Sequence, residues 1–357
     1  MLTRTSLIVG SALMLSLSAF AEESTGPKVV FSGFLDADVA ATYDKTAGQL
    51  IYQNNHEADL VANVNFSDKA VVSLGVTSYT LKSVPAGGTP VVDSVVGLTR
   101  WPSVYFDGVW ASYQLKDDVK LLAGDFTVAE GVFSFYTYKR PLFYGSVLKE
   151  TYYRGIGVDF KGASLYAGAS DTSNVTSDVY ASYTLSTEKV EVKPFVFAAL
   201  DMDGAPDLKA GLTAKATLGD HSVSATYGFL KNDGLDASHT IKVEAALAFG
   251  NVSVAASAFY AITSDSAALV TPVDVPEESF YYVEPDYKFN DLLTAGSTFE
   301  FHTRAKGAKD SDLDIFPTLY VNPASNFSVA VWAGPTFYVD TKADATISLG
   351  SEVIGSF

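Results

Sequence analysis

From Asp207 to Leu230 the chain reads DLKAGLTAKATLGDHSVSATYGFL, and its apolar and polar positions take turns. Leu208, Ala210, Leu212, Ala214, Ala216 and Leu218 fall on one side, against Lys209, Gly211, Thr213, Lys215 and Thr217 on the other. Beyond Gly219-Asp220-His221 the beat resumes, with Val223, Ala225, Tyr227 and Phe229 opposed to Ser222, Ser224, Thr226 and Gly228. Successive side chains of a strand point to opposite faces, so a period of two predicts a β-hairpin with one apolar and one polar face.

The same alternation recurs from residue 29 to residue 357 without a linker or a compositional break, which predicts one domain. Strands are expected at 29–43, 56–66, 70–81, 105–115, 119–126, 153–160, 163–169, 178–185 and 190–200. They continue at 208–218, 222–229, 239–249, 252–262, 279–289, 292–302, 312–322, 327–339 and 345–357. The count is about eighteen, with sixteen the alternative. Connections alternate in length: tight turns such as Ser67-Asp68-Lys69, Lys116-Asp117-Asp118 and Gly250-Asn251 are separated by mostly longer ones, of which 127–152 is the third and the longest. Short turns at one end and longer loops at the other predict an all-β, up-and-down antiparallel transmembrane barrel rather than a Greek-key sandwich.

Large rings on the apolar face cluster at both strand ends, Phe31, Phe66, Tyr113, Phe160 and Phe249 at the short turns and Tyr43, Tyr227, Tyr260 and Phe337 at the long connections. Aromatic girdles of this kind mark the two membrane boundaries, so the apolar face is expected to meet lipid and the polar face a lumen. Four prolines, Pro194, Pro285, Pro317 and Pro335, fall inside predicted strands, where each removes a ladder donor and fits the pattern badly.

Residues 1–21 read as a secretory signal peptide, with Arg4, an apolar run from Leu7 to Leu17 and the small-x-small site Ala19-Phe20-Ala21, leaving 22–357 as the barrel domain. Cysteine is absent, which excludes disulfides and thiolate metal sites. A formal net charge of −17 argues against nucleic acid as a partner.

With the leader, the barrel rhythm and a last strand ATISLGSEVIGSF ending in Phe357, the chain resembles the Gram-negative outer-membrane porins. That resemblance implies residence in the cell outer membrane, contact with its lipid and with lipopolysaccharide, and recognition of Phe357 by the barrel-assembly machinery as an assembly signal. It also implies passive diffusion of small hydrophilic solutes with no cofactor, leaves a homotrimer open, and implies that the third long connection folds into the channel as a constriction. Here that connection runs TVAEGVFSFYTYKRPLFYGSVLKET, so Glu130, Lys139, Arg140, Lys149 and Glu150, with Arg154 beyond, are the candidates for the constriction. An exposed loop facing solvent or lipopolysaccharide is the alternative.

The polar face supplies the expected lining. Its acidic positions include Asp36, Asp38, Glu57, Asp59, Asp125, Glu284, Asp286 and Glu300, and they outnumber bases such as Lys193, Lys209, Lys215 and Lys242. An acidic lining favours cations, so a mild cation preference is expected. Inward rings, among them Trp110, Tyr166, Tyr180, Phe195, Phe197, Tyr282, Phe316, Tyr320 and Trp332, fit a sugar-specific porin or, alternatively, packing against an inserted loop. No catalytic or metal motif accompanies them: G-x-S-x-G, H-E-x-x-H and phosphate-loop patterns are missing, and His302 beside Glu300 reads as a bystander. The competing functional class is a surface adhesin or structural barrel with a closed lumen.

Overall fold

The computed structural model describes residues 26–44, 49–80, 103–131, 133, 150–170, 177–200, 207–231, 237–262, 277–305, 311–339 and 344–357. Among them every regular element is a strand. These are β1 (Lys28–Asp44), β2 (Gln49–Asn65), β3 (Ala70–Thr80), β4 (Ser103–Lys116), β5 (Val119–Ala129), β6 (Glu150–Phe160), β7 (Ala163–Ser170), β8 (Ser177–Tyr183), β9 (Leu185–Ser186) and β10 (Val190–Leu200). The ring continues with β11 (Asp207–Leu218), β12 (His221–Lys231), β13 (Ser238–Phe249), β14 (Val252–Ile262), β15 (Glu277–Lys288), β16 (Leu293–Ala305), β17 (Asp312–Ala324), β18 (Phe327–Tyr338) and β19 (Thr346–Ser356).

Each strand pairs antiparallel with its chain neighbour, and β1 pairs with both β2 and β19, so the sheet closes. β8 and β9 flank Thr184 and meet β10 in one register, Phe195 opposite Ser182 and Glu191 opposite Ser186; the two segments form a single stave. The result is a closed 18-strand antiparallel barrel. At the seam Gly33 and Phe357 exchange both backbone hydrogen bonds, at 2.9 and 3.1 Å. Gly33 is required there: a Cβ on it would lie 2.3 Å from Phe357 Cζ, so its bare backbone makes room for the ring.

The prolines account for the irregularities of the ladder. Pro194 lies on the stretch of β10 facing Tyr183 and Thr184, where β8 and β9 part. In β15 and β16 pairing stops after Val283–Phe299 and resumes at Asp286–Gly296, straddling Pro285. In β17 and β18 it stops after Asp314–Thr336 and resumes at Thr318–Trp332, straddling Pro317 and Pro335. Proline lacks the N–H the ladder needs, so bonds are lost locally while the register on either side is kept.

Exposure follows the alternation. Along β13 the inward Ser238, Thr240, Lys242 and Glu244 are buried, whereas Ile241 and Val243 are exposed. Phe31, Tyr43, Phe66, Tyr113, Phe160, Phe249, Tyr281, Phe337 and Phe357 all point outward and are exposed. Soluble monomers rarely expose an apolar patch beyond a few hundred Å². A belt of this extent around a closed ring, with charges inside it, is the arrangement of a barrel solvated by lipid. β2 begins earlier than its apolar alternation predicts, because the polar run Gln53-Asn54-Asn55-His56 stays in register with β1 up to Asp44–Gln49. Backbone pairing needs no apolar face where the hairpin extends past the hydrocarbon band.

Candidate functional site

Inward positions are set strand by strand through the ladder, since directly opposed residues of neighbouring strands share a face. Two arcs of the inner wall differ in what this places together.

On the arc from β7 to β15 rings pack together: Tyr166 stacks on Tyr180 at 5.3 Å, Tyr180 meets Phe197 at a tilt at 4.8 Å, and within β10 Phe195 is edge-on to Phe197 at 5.9 Å. The beginning of the long connection after β5 lands on this arc. Glu130, buried, takes a 2.6 Å ion pair from Lys193 Nζ and a hydrogen bond from Tyr180 Oη. Phe133, also buried, sits 5.9 Å from the Phe259 ring and 5.8 Å from that of Phe280, with Lys242 Nζ 5.1 Å from its centroid. Lys242 is itself held by Glu244 at 2.7 Å, both side chains buried. Phe259 and Phe280 belong to β14 and β15, about halfway round the ring from β5. The chain therefore enters the interior immediately after β5 and reaches the far wall within four residues of Ala129, at Phe133.

The arc from β15 through β19 to β2 is acidic. Glu300 stands opposite Asp314, Asp36 opposite Glu57, and Asp38 opposite Glu352. Like charges directly opposed across a ladder are destabilising, so this grouping is not explained by sheet stability. Thr336 Oγ1 donates to Asp314, and His302 Nε2 lies 2.5 Å from Glu278 Oε1 with both residues buried. The rings of this arc also face inward: Phe316 meets Trp332 edge-on at 5.1 Å.

Of the expected constriction residues, Glu130 is inside as described, and Glu150 opens β6 opposite Ala129. Lys139, Arg140 and Lys149 lie outside the described residues, as does the leader. Asp36, Asp38, Glu57, Asp59, Glu284, Asp286 and Glu300 take inward positions. Asp125 and Arg154 are corrected. The β5–β6 ladder runs without a bulge, which puts Asp125 with the outward Leu121 and Arg154 with the outward Ile156 and Phe160. The two form a 2.6 Å ion pair with the Arg154 side chain 81% exposed. Charge suggested the lumen there because the alternation of 119–126 has little contrast, the apolar Leu122 sharing the inward set.

Toward the short-turn end of the acidic arc a cavity of about 440 Å³ is lined by Glu284, Asp286 and Lys288 of β15, Tyr320 and Asn322 of β17, and Phe327 and Ser328 of β18. Glu284 is buried, and both its carboxylate oxygens accept tyrosine hydroxyls, Oε2 from Tyr282 and Oε1 from Tyr320. Alternation along 279–289 offered Glu284 as a lining acid and put Tyr282 on the same face; the second tyrosine, Tyr320, depends on how β15, β16 and β17 align, which no local pattern reveals.

A closed antiparallel ring, apolar without and charged within, with a connection turned into its interior, defines the class: a transmembrane β-barrel of the porin fold. The solved structures it is similar to are of that class. OccK9 (OpdG) of Pseudomonas aeruginosa superposes with a TM-score of 0.60 at 13% identity, covering 92% of this chain and 98% of that one. A BenF-like porin from Pseudomonas fluorescens Pf-5 gives 0.59 at 13%, covering 94% and 100%. OpdK of Pseudomonas aeruginosa, solved with vanillate, gives 0.57 at 14%, covering 92% and 98%. No family model matches the chain, and no curated protein matches it.

Proposed function

We propose that this chain is a porin of the outer membrane of a Gram-negative bacterium, passing small hydrophilic solutes by diffusion through its interior, with a preference for cations. The observation that carries the reading is the pairing of a lipid-facing apolar belt with an interior arc on which carboxylates oppose carboxylates. A low-dielectric wall focuses the field of such a cluster, raising the local concentration of cations and repelling anions. Glu130 and Phe133 support a narrowing by the connection at 127–152, because Glu130 ties its start to β8 and β10 and Phe133 reaches β14 and β15. Where OpdK was solved with vanillate, an organic carboxylate, the acidic arc here favours solutes of opposite charge.

Planar-bilayer recording of the refolded chain under a salt gradient tests this. Discrete conductance steps with a reversal potential on the cation side are expected. Anion selectivity would overturn the cation preference, and electrical silence would favour a closed barrel with a binding role.

A further inference from the structure

We propose that the cavity at the short-turn end of the acidic arc is a binding subsite for organic cations, solutes carrying an ammonium or guanidinium group on a polar body. The inference rests on the porin reading for its physiological sense, but its chemistry stands on the cavity itself. Glu284 is 3% exposed and lines it. Both of its oxygens are engaged as acceptors by Tyr282 and Tyr320, an arrangement that suits the ionised carboxylate, which has no proton to donate. No cation among the described residues pairs with it: Lys288, which also lines the cavity, is held 2.6 Å from Asp291 at the turn. A buried ionised carboxylate is costly unless a cation compensates it, and two hydroxyl donors supply only part of that compensation.

The surroundings fit an organic cation better than a metal ion or a neutral sugar. Asp286 lines the same cavity two residues along β15, so two carboxylates border the space. No group of three or more metal-ligating side chains exists among the described residues, and a hard divalent cation wants six or more oxygens. A sugar would leave the charge of Glu284 uncompensated. The inward Tyr320 ring borders the space and can attract an ammonium or guanidinium group, while Asn322 and Ser328 can hydrogen-bond a polar body. About 440 Å³ is within the range of small-molecule sites. Approached from the short-turn mouth, the cavity would hold an amine just inside the lumen.

The test uses the refolded barrel, with arginine amide and putrescine as probes and glutarate and sorbitol as controls. Calorimetry in detergent micelles should show binding of both amines and of neither control. In bilayers the amines, added on the short-turn side, should interrupt the current. Glu284→Gln should weaken binding roughly ten- to hundredfold, the range for losing a charged partner. Asn322→Lys, which places an ammonium at the cavity and leaves the tyrosine clamp intact, should abolish it, and decides the matter if the first variant fails to refold. Channel steps without amine binding would overturn the subsite and leave the porin reading standing. Amine binding without channel steps would do the reverse. Binding unchanged in both variants would place the amines elsewhere and overturn the proposal.

Discussion

The two arcs of the interior are built from the same strand geometry and handle charge in opposite ways. From β7 to β15, Lys193 meets Glu130, Lys242 meets Glu244, and rings fill the space between, so the charges there hold a segment in place. From β15 to β2, carboxylates face carboxylates across the ladder, and Glu284 is supported by hydroxyls instead of a cation. The difference teaches that charge count alone does not describe a lumen. On one wall acids meet bases directly; on the other, acid is set opposite acid and hydroxyls are among the groups that support it.

The largest effect is expected from the anchored wall. Phe133→Ala removes a buried ring and should destabilise the refolded barrel in urea titration by about 3–5 kcal/mol if the surrounding rings do not close in. It should also raise single-channel conductance by widening the narrowing; an unchanged conductance would mean that Phe133 is packing only. Next, Glu300→Gln combined with Asp314→Asn should cut the reversal potential under a salt gradient while leaving stability equal or higher by roughly 0.2–1 kcal/mol, since like charges are relieved. Undiminished selectivity would remove the acidic arc from the account. Arg154→Gln should leave ion selectivity where it was, because that guanidinium shares the outward parity; a shift toward cations would return it to the lumen.

The smallest effect belongs to the turn between β15 and β16. Lys288, hydrogen-bonded to the exposed Asp291, holds that carboxyl below its ordinary range. A carboxyl depressed in the folded state contributes stability above its unfolded range and loses it as pH falls through the folded value. Asp291→Asn should therefore slightly flatten the acid limb of a stability profile, and an acid limb steeper than that of the parent chain would contradict the pairing.

Much of the barrel was legible because lipid outside and polar groups inside force a period of two, and because β2 through β19 follow one another in chain order. What stayed hidden had nonlocal causes. The prolines stood out as misfits, but which ladder step each interrupts is visible only once the partner strand is known, and so the stave of β8 and β9 looked continuous. Phe133 is one ring among several in FSFYTYKRPLFY, and nothing local says that it crosses to Phe259 and Phe280. Acidic lining positions were recognisable from alternation at Asp36, Asp38 and Glu300, where contrast is strong. Asp125 and Arg154 were misplaced where it is weak.

The join between β1 and β19 brings Phe34 beside Ser356, partners separated by almost the entire chain. Every other interface of the ring links strands that are near neighbours in sequence, so this one carries by far the greatest loop-closure entropy. Zippering can proceed hairpin by hairpin and still leave an open, curling sheet with two raw edges in the membrane. Docking of the Phe357 ring over bare Gly33 is then the step that converts a ribbon into a tube, and pulse-labelled amide exchange should find the amides of Gly33 and Phe357 protected last.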